Sequence, residues 1–179
     1  MALKSDACEH IASITAGNSG TDNYSFSSIP QTYKHLQVIM SAATTGYESY
    51  LLCYFNDDTT MYSYAVAYGD ASGEASVLYN GNVTYAYIGW LGAFVGAGAK
   101  GNLEMWVPTY TSTTHYKAGL TRMGSKASNY TAAFAGGFHW SEYNSAVTKI
   151  TFELAHTSGD FMGGAGNAYD SQFDLYGWL

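Results

Sequence analysis

The feature that most constrains the fold is a strict alternation of apolar and polar side chains in short runs. In one run Leu103, Met105 and Val107 alternate with Glu104 and Trp106. Successive side chains of a β-strand point to opposite faces of the sheet. The alternation therefore predicts strands with one face in a core and the other toward solvent or a partner.

Runs with this pattern recur along the chain and predict an all-β fold. Clusters of Asn, Asp, Gly and Ser separate them, and these residues favour turns. No capped segment keeps a helical period for longer than about two turns. The predicted strands span residues 11–15, 24–26, 35–42, 50–55, 61–68, 83–90, 102–107, 114–122, 132–140, 149–154 and 172–178.

Short strands with regularly spaced turns predict one antiparallel β-sandwich, and we expect it to be jelly-roll-like. The stretch "YNGN" at 79–82 predicts a hairpin turn, because Asn-Gly tolerates the positive φ of a type I′ turn. The 179 residues suit a single domain. We assign residues 1–10 to an N-terminal arm and 11–179 to the sandwich domain.

The charge pattern argues against two classes of partner. The formal net charge is −7, and only 12% of the residues are charged. No basic stripe exists that could neutralise phosphates, which argues against nucleic acid and against an anionic membrane. The basic residues are scattered: Lys4, Lys34, Lys100, Lys117, Arg122, Lys126 and Lys149.

The N-terminal residues predict folding in a reducing cytoplasm, and the expected state of the cysteines follows from that. Residues 1–17 contain no long apolar run of the kind found in a secretory signal. Cys8 and Cys53 are then expected to be free thiols. Cys53 lies within a strand-like run, where a small buried thiol is common.

The sequence offers no recognisable catalytic or metal motif, so we predict no cofactor and no metal. None of the five histidines lies in a nucleophile elbow, and no pair of ligands has zinc spacing. The stretch "FNDDTT" at 55–60 begins like a Ca²⁺ loop but lacks the rest of that pattern. We interpret it as an Asx-type turn.

Paired carboxylates could serve glycoside hydrolysis if two of them approached each other. Glu104, Glu153 and Asp174 all occupy outward positions in their alternating runs. The sequence does not bring any two of them together, and we predict that the protein is not an enzyme.

Aromatic residues are the strongest remaining signal, since the chain contains 17 Tyr. One interpretation is a platform that stacks on sugar rings, and the other is a Tyr-lined contact between subunits. Some of these residues are expected to fill the core in either case. The candidate interface residues are Tyr62, Tyr64, Tyr68, Tyr85, Tyr87, Trp90 and Phe94.

Four segments, in this order, resemble small virion proteins of tailed bacteriophages. They are "YSFSSIPQTYKHLQVIMSA", "YLLCYFNDDTTMYSYAVAYGD", "NLEMWVPTYTST" and "FDLYGW". The sequence departs from that group at Asn56-Asp57-Asp58, where Gly usually separates Asn and Asp, and at Val107, where Ile is usual. The resemblance implies a β-sandwich on the outside of the particle.

Members of that group either decorate the capsid as cement proteins or form tail-fibre modules. The chain has no repeats of a fibre shaft, which favours a capsid decoration protein bound to the major capsid protein. The resemblance then implies a place on the outer capsid surface, and a homotrimer suits a local three-fold axis. The alternative is a receptor-binding module that recognises host carbohydrate.

Overall fold

Inward-facing apolar side chains from two antiparallel sheets form the core in the computed structural model. The structure describes residues 7–16, 21–45, 49–70, 73, 75–92, 100–126, 131–155, 160–163 and 170–179. None of the described segments forms a helix long and apolar enough to cross a lipid bilayer. The predicted all-β sandwich is confirmed.

The described residues contain twelve strands. They are β1 (Cys8–Thr15), β2 (Asn23–Phe26), β3 (His35–Ala42), β4 (Ser49–Phe55), β5 (Tyr62–Asp70), β6 (Ala75–Val83), β7 (Ala86–Leu91), β8 (Gly101–Pro108), β9 (Lys117–Lys126), β10 (Thr131–Trp140), β11 (Ile150–Leu154) and β12 (Gln172–Trp178).

The strand order combines a jelly-roll arrangement with two added hairpins. The small sheet has the order β2-β11-β4-β7, and the large sheet has the order β1-β12-β3-β8-β9-β10-β5-β6. Strands β1 to β4, β7, β8, β11 and β12 alternate between the sheets, as in a jelly roll. The hairpins β5–β6 and β9–β10 both extend the large sheet beyond β8.

The alternation in the sequence correctly identifies the buried faces. Leu103, Met105 and Val107 of β8 are buried, while Glu104 and Trp106 lie on the opposite, partly exposed face. Strands β11 and β12 follow the same rule. The alternation follows from the geometry of a single strand, so it does not depend on which strands are its neighbours.

Strand β1 starts earlier than predicted. It begins at Cys8 and pairs with Trp178, so residues 8–10 of the proposed N-terminal arm belong to the sheet. A register shift between His10 and Ala12 interrupts the alternation. This bulge hides the strand from a search for period two.

Strand β6 was not predicted, and the predicted turn at 79–82 is wrong. Asn80 and Gly81 pair with Tyr64 and Ser63 inside the β5–β6 ladder. Asn82 has a φ of 57° at a register shift, so the Asn-Gly-Asn stretch forms a bulge near the end of a strand. The hairpin turn lies earlier, where the Gly73 N–H donates to the Asp70 carbonyl.

The stretch at 55–60 is a turn, as predicted. The carboxylate of Asp58 accepts hydrogen bonds from the Thr60 backbone N–H at 2.9 Å and from the Trp140 indole at 2.7 Å. The side chain of Asn56 accepts from Thr148 N–H at 2.8 Å and donates to the Ala146 carbonyl at 2.8 Å. This turn therefore secures the connection between β10 and β11.

Two glycines of β9 provide a matched test of the packing. A side chain at Gly119 would overlap the ring of Phe138, whereas nothing lies within 4 Å of a Cβ at Gly124. We expect Gly119→Ala to reduce the free energy of unfolding by about 1–3 kcal/mol, because the added methyl group would overpack the core against Phe138. Gly124→Ala should leave it unchanged or slightly raised, since Gly is unfavourable within a strand. Urea denaturation of both variants measures the difference, and equal values would contradict the packing described.

Candidate functional site

The predicted interface residues of β5 and β7 face the core side of the sheets. Tyr62 and Tyr87 are buried at 0% and 4% exposure, which corrects their assignment to a surface contact. Tyr62, Tyr64 and Tyr68 lie on one face of β5, but it is the face that also carries the buried Val66. The alternation shows which side chains share a face of the strand, but it does not show which face is buried.

The partly buried tyrosines complete an aromatic cluster at the edge of the core. Tyr64 stacks on Tyr85 at a centroid distance of 6.4 Å, and Tyr68 stacks on Phe134 at 5.5 Å. Tyr87 contacts Tyr64 edge-on at 5.6 Å. These contacts are the offset and T-shaped arrangements that aromatic rings prefer. An interface role for Tyr64, Tyr68 and Tyr85 stays a prediction.

Two further predicted interface residues belong to the apolar stretch after β6. Trp90 is half-buried on β7 and pairs with Tyr50 of β4. Phe94 lies outside the described residues. An interface role for either residue stays a prediction.

The solvent side of the large sheet, called here the large-sheet face, carries rows of paired side chains. Two such rows cross all eight strands. One row runs through Ser13, Asp174, Ile39, Glu104, Arg122, Ala135, Ala67 and Val77. The next runs through His10, Tyr176, Gln37, Trp106, Leu120, Gly137, Ala65 and Tyr79.

The two ends of each row differ in chemistry. On the jelly-roll strands the rows carry polar and aromatic side chains. On β10 and β5 they carry only alanine and glycine, while β9 contributes Arg122 and Leu120, which protrudes at 65% exposure. We call the second part the flat half, and it consists of Ala65, Ala67, Ala118, Leu120, Ala133 and Ala135, all exposed.

The first part contains a connected polar network centred on Glu104. Glu104 Oε1 accepts from Gln37 Nε2 at 2.8 Å and from Trp106 Nε1 at 2.6 Å. The second oxygen of Glu104 is ion-paired with Arg122, and Gln37 Oε1 accepts from Trp178 Nε1 at 3.1 Å. The network therefore spans four neighbouring strands and holds both indoles.

The network keeps Glu104 ionised. Burial opposes ionisation, but the hydrogen bonds from Trp106, Arg122 and Gln37 outweigh it and lower the pKa of the carboxyl group. A general acid for glycoside hydrolysis needs a raised pKa. Glu104 is therefore suited to binding and to orienting its neighbours rather than to proton donation.

Two aromatic rings and a shallow depression adjoin this network. The rings of Trp106 and Trp178 are 5.2 Å apart, at an interplanar angle of 43°. A depression of about 380 Å³ lies beside Glu104 and Arg122, with Ile39 and Asn102 on its rim.

The predicted acids do face outward but do not converge. Glu104 and Asp174 lie on the large-sheet face with Ile39 between them. Glu153 is on β11 in the small sheet. Three carboxylates on two sheets do not form the facing pair that glycosidases use.

A Ser–His–Asp cluster occurs at the β1 edge of the same face, but its geometry is not that of a triad. The Ser13 hydroxyl donates to Asp174, and His10 Nε2 lies 2.8 Å from the same hydroxyl. In a triad the histidine stands between the serine and the carboxylate. Here the serine lies between the histidine and the carboxylate, so the arrangement is not that of a triad.

Both cysteines are free, as predicted, with Cys8 exposed and Cys53 buried. Burial raises the pKa of the Cys53 thiol, which keeps it protonated and unreactive. Among the described residues, no group of three His, Cys, Asp or Glu side chains is placed to hold a metal ion.

Comparisons with known proteins give little help. No protein-family model and no curated protein matches the sequence. Two solved structures are each 12% identical to this chain: a family 7 alginate lyase, A1-II′, in complex with product, and infectious bursal disease virus, Gx strain. Their TM-scores are 0.19 and 0.16. These scores are too low to inform fold or function.

The chain also spans only part of those proteins. It is covered over 73% of its length by the match to the lyase and over 97% by the match to the virus protein. It spans 63% and 41% of their respective lengths.

The sequence predicted the outward position of Glu104 and Trp106 but missed the network they belong to. Gln37, Arg122 and Trp178 reach Glu104 or its partners only through strand pairing between distant parts of the chain. The one signal available in the sequence was that Trp106, a large apolar residue, occupies an outward position.

The network makes the stability of the protein depend on pH in a defined direction. Because the pKa of Glu104 is lower when folded, its ionised form stabilises the fold above the ordinary Glu value of about 4.3. That contribution is lost as the pH falls through the folded-state pKa. We expect Glu104→Gln to lower the free energy of unfolding by about 1–3 kcal/mol at pH 7 and by progressively less in acid. Urea denaturation of wild type and variant across this range tests it, and a pH-independent difference would contradict it.

Proposed function

We propose that this protein is a structural component on the exterior of a phage particle, a capsid decoration protein that binds the major capsid protein. The resemblance in the sequence suggests this class. The observation that carries the proposal is the flat half of the large-sheet face. A contiguous apolar patch exposed on the surface of a single chain is typical of a site that contacts another protein.

The flat half suits a broad protein surface better than a small ligand. Its side chains are mostly alanine, so the sheet can approach another surface closely over β10 and β5, with Arg122 of β9 at the margin. Leu120 protrudes from it and could fill a pocket on the partner as an anchor. A contact of this type depends on complementary shape and on the burial of apolar surface. It therefore does not require many charged side chains, of which this chain has few.

We further propose that copies assemble around local three-fold axes of the shell, where three equivalent surfaces are available. The flat half lies on the added hairpins, at one end of the large sheet. The jelly-roll strands at the other end remain free for another contact. A decoration protein of this design would bind by the hairpin part of this face, with its polar network beside that contact.

Substitution within the flat half tests this proposal. Ala135 lies between Arg122 and Ala67 in its row, and Ala135→Gln places a bulky side chain on the flat surface. We expect an affinity for empty heads at least about tenfold weaker, measured by co-sedimentation. Thr113→Gln, at an exposed site in the β8–β9 loop, is the control. Equal binding by both variants, or no binding by wild type, would refute the proposal.

A second candidate function, recognition of host carbohydrate, is favoured by one observation. Trp106 and Trp178 present adjacent rings whose indole N–H groups are already fixed by Glu104 and Gln37. Rigid aromatic rings beside carboxylate, amide and guanidinium groups can contact both the apolar face and the hydroxyls of a neutral sugar. This reading assigns the carbohydrate to different residues from the tyrosines singled out by the sequence.

The ring of Trp178 separates this candidate from the first. Trp178→Ala should abolish binding to neutral bacterial polysaccharides, while Trp178→Phe should retain much of it, because the phenyl ring keeps a stacking face. Glycan-array binding of wild type and both variants measures this, with melting temperatures as a check on folding. If wild type binds no glycan, or if the alanine variant binds as well as wild type, this candidate fails.

A further inference from the structure

Strand β6 forms an unprotected edge of the large sheet. It is the last strand in the sheet order and, among the described strands, pairs only with β5. Native proteins usually protect such an edge with charges, prolines or very short strands, because its free backbone groups can pair with another chain. β6 has nine residues, and none of them is charged or proline.

The side chains of β6 add to this exposure. Val77 is 63% exposed and Tyr79 is 81% exposed, and both point to the solvent side of the sheet. Apart from Leu78 and Val83, which are half-buried, every residue of the strand is exposed. The bulge lies at the far end, near Asn82, so residues 75–81 keep a regular register with β5.

We propose that β6 pairs antiparallel with β6 of a second copy of this chain, joining two large sheets into one. The sequence of the strand favours this occupant, because it is complementary to its own antiparallel copy. Two copies with a net charge of −7 repel each other, and association is least costly where neither copy carries a charge. An antiparallel pair of identical strands is related by a two-fold axis, so one strand suffices to form a closed interface.

The sequence of β6 selects one register. When Leu78 lies opposite its own copy, Val77 lies opposite Tyr79 of the second copy, and the same pair forms again on the other side of the axis. Pairs of an aromatic and a β-branched side chain stabilise antiparallel sheets. In this register Ser76 also lies opposite Asn80, so two polar side chains meet on the other face. Centring the pair on Tyr79 instead would leave Val77 opposite Gly81.

This contact is independent of the proposed binding to a capsid. It uses a strand edge, whereas the proposed shell contact uses the flat half of a sheet face. It is also distinct from a three-fold assembly, because a two-fold pair contains two copies rather than three.

The mass of the purified full-length chain in solution tests the pairing. We expect size exclusion with light scattering to give a mass of two copies that dissociates on dilution. Val77→Lys places like charges near the axis and should weaken association at least about tenfold. Thr113→Lys adds the same charge at an exposed loop and should leave the mass unchanged. A monomeric wild type, or a mass that Val77→Lys does not alter, would overturn the proposal.

A cross-link tests the register. Opposed residues of an antiparallel pair have Cα atoms about 4.5–5.5 Å apart, within the range of a disulfide. In a Cys8→Ser background, where the remaining Cys53 is buried, Leu78→Cys should give a disulfide-linked dimer on mild oxidation. A matched Ala75→Cys variant should cross-link poorly, since position 75 faces position 81. Equal cross-linking of both variants, or none from Leu78→Cys, would refute the register.

Discussion

The aromatic contact between Phe55 and the added hairpins holds this structure together. Phe55 lies on β4 of the small sheet, and its ring contacts Phe138 at 5.7 Å and Trp140 at 5.6 Å, both on β10. Its backbone N–H donates to the hydroxyl of Tyr62 on β5 at 2.7 Å. This cluster covers the apolar side of the hairpins together with Tyr87 of β7, which contacts Tyr64 of β5 and Phe134 of β10. With it, the large sheet doubles in width and its solvent side becomes one continuous face.

The widened face has two parts, one formed mainly by the jelly-roll strands and the other by the added hairpins. The jelly-roll strands, together with Arg122 of the added β9, carry a hydrogen-bonded network in which Glu104 accepts from three side chains, so the indoles of Trp106 and Trp178 are held in fixed orientations. The hairpins carry alanines and an exposed edge. A fixed polar and aromatic surface favours recognition of a ligand, whereas a smooth apolar surface favours contact with another protein. The pKa of Glu104 in the polar part is lowered, whereas a general acid for hydrolysis needs a raised one.

Sequence reasoning succeeded where one strand suffices and failed where two must be compared. The buried faces of β8, β11 and β12 follow from period two alone. The alternation also showed that Tyr62, Tyr64 and Tyr68 share a face, yet it could not show that this face is covered by the small sheet. Strand β6 was missed because both of its faces are exposed, so its sequence carries no alternation. Its Asn-Gly pair signals a turn but forms part of a ladder ending in a bulge.

The sequence by itself determined that this chain forms short antiparallel strands and carries little charge, because these properties depend on local pattern and composition. Only the tertiary structure decided which residues stand beside Glu104 and which edge of the sheet stays open. The physical reason is register. Gln37, Glu104 and Arg122 become neighbours through pairings between segments far apart in the chain, and a shift of one residue in any of them would turn those side chains to the opposite face.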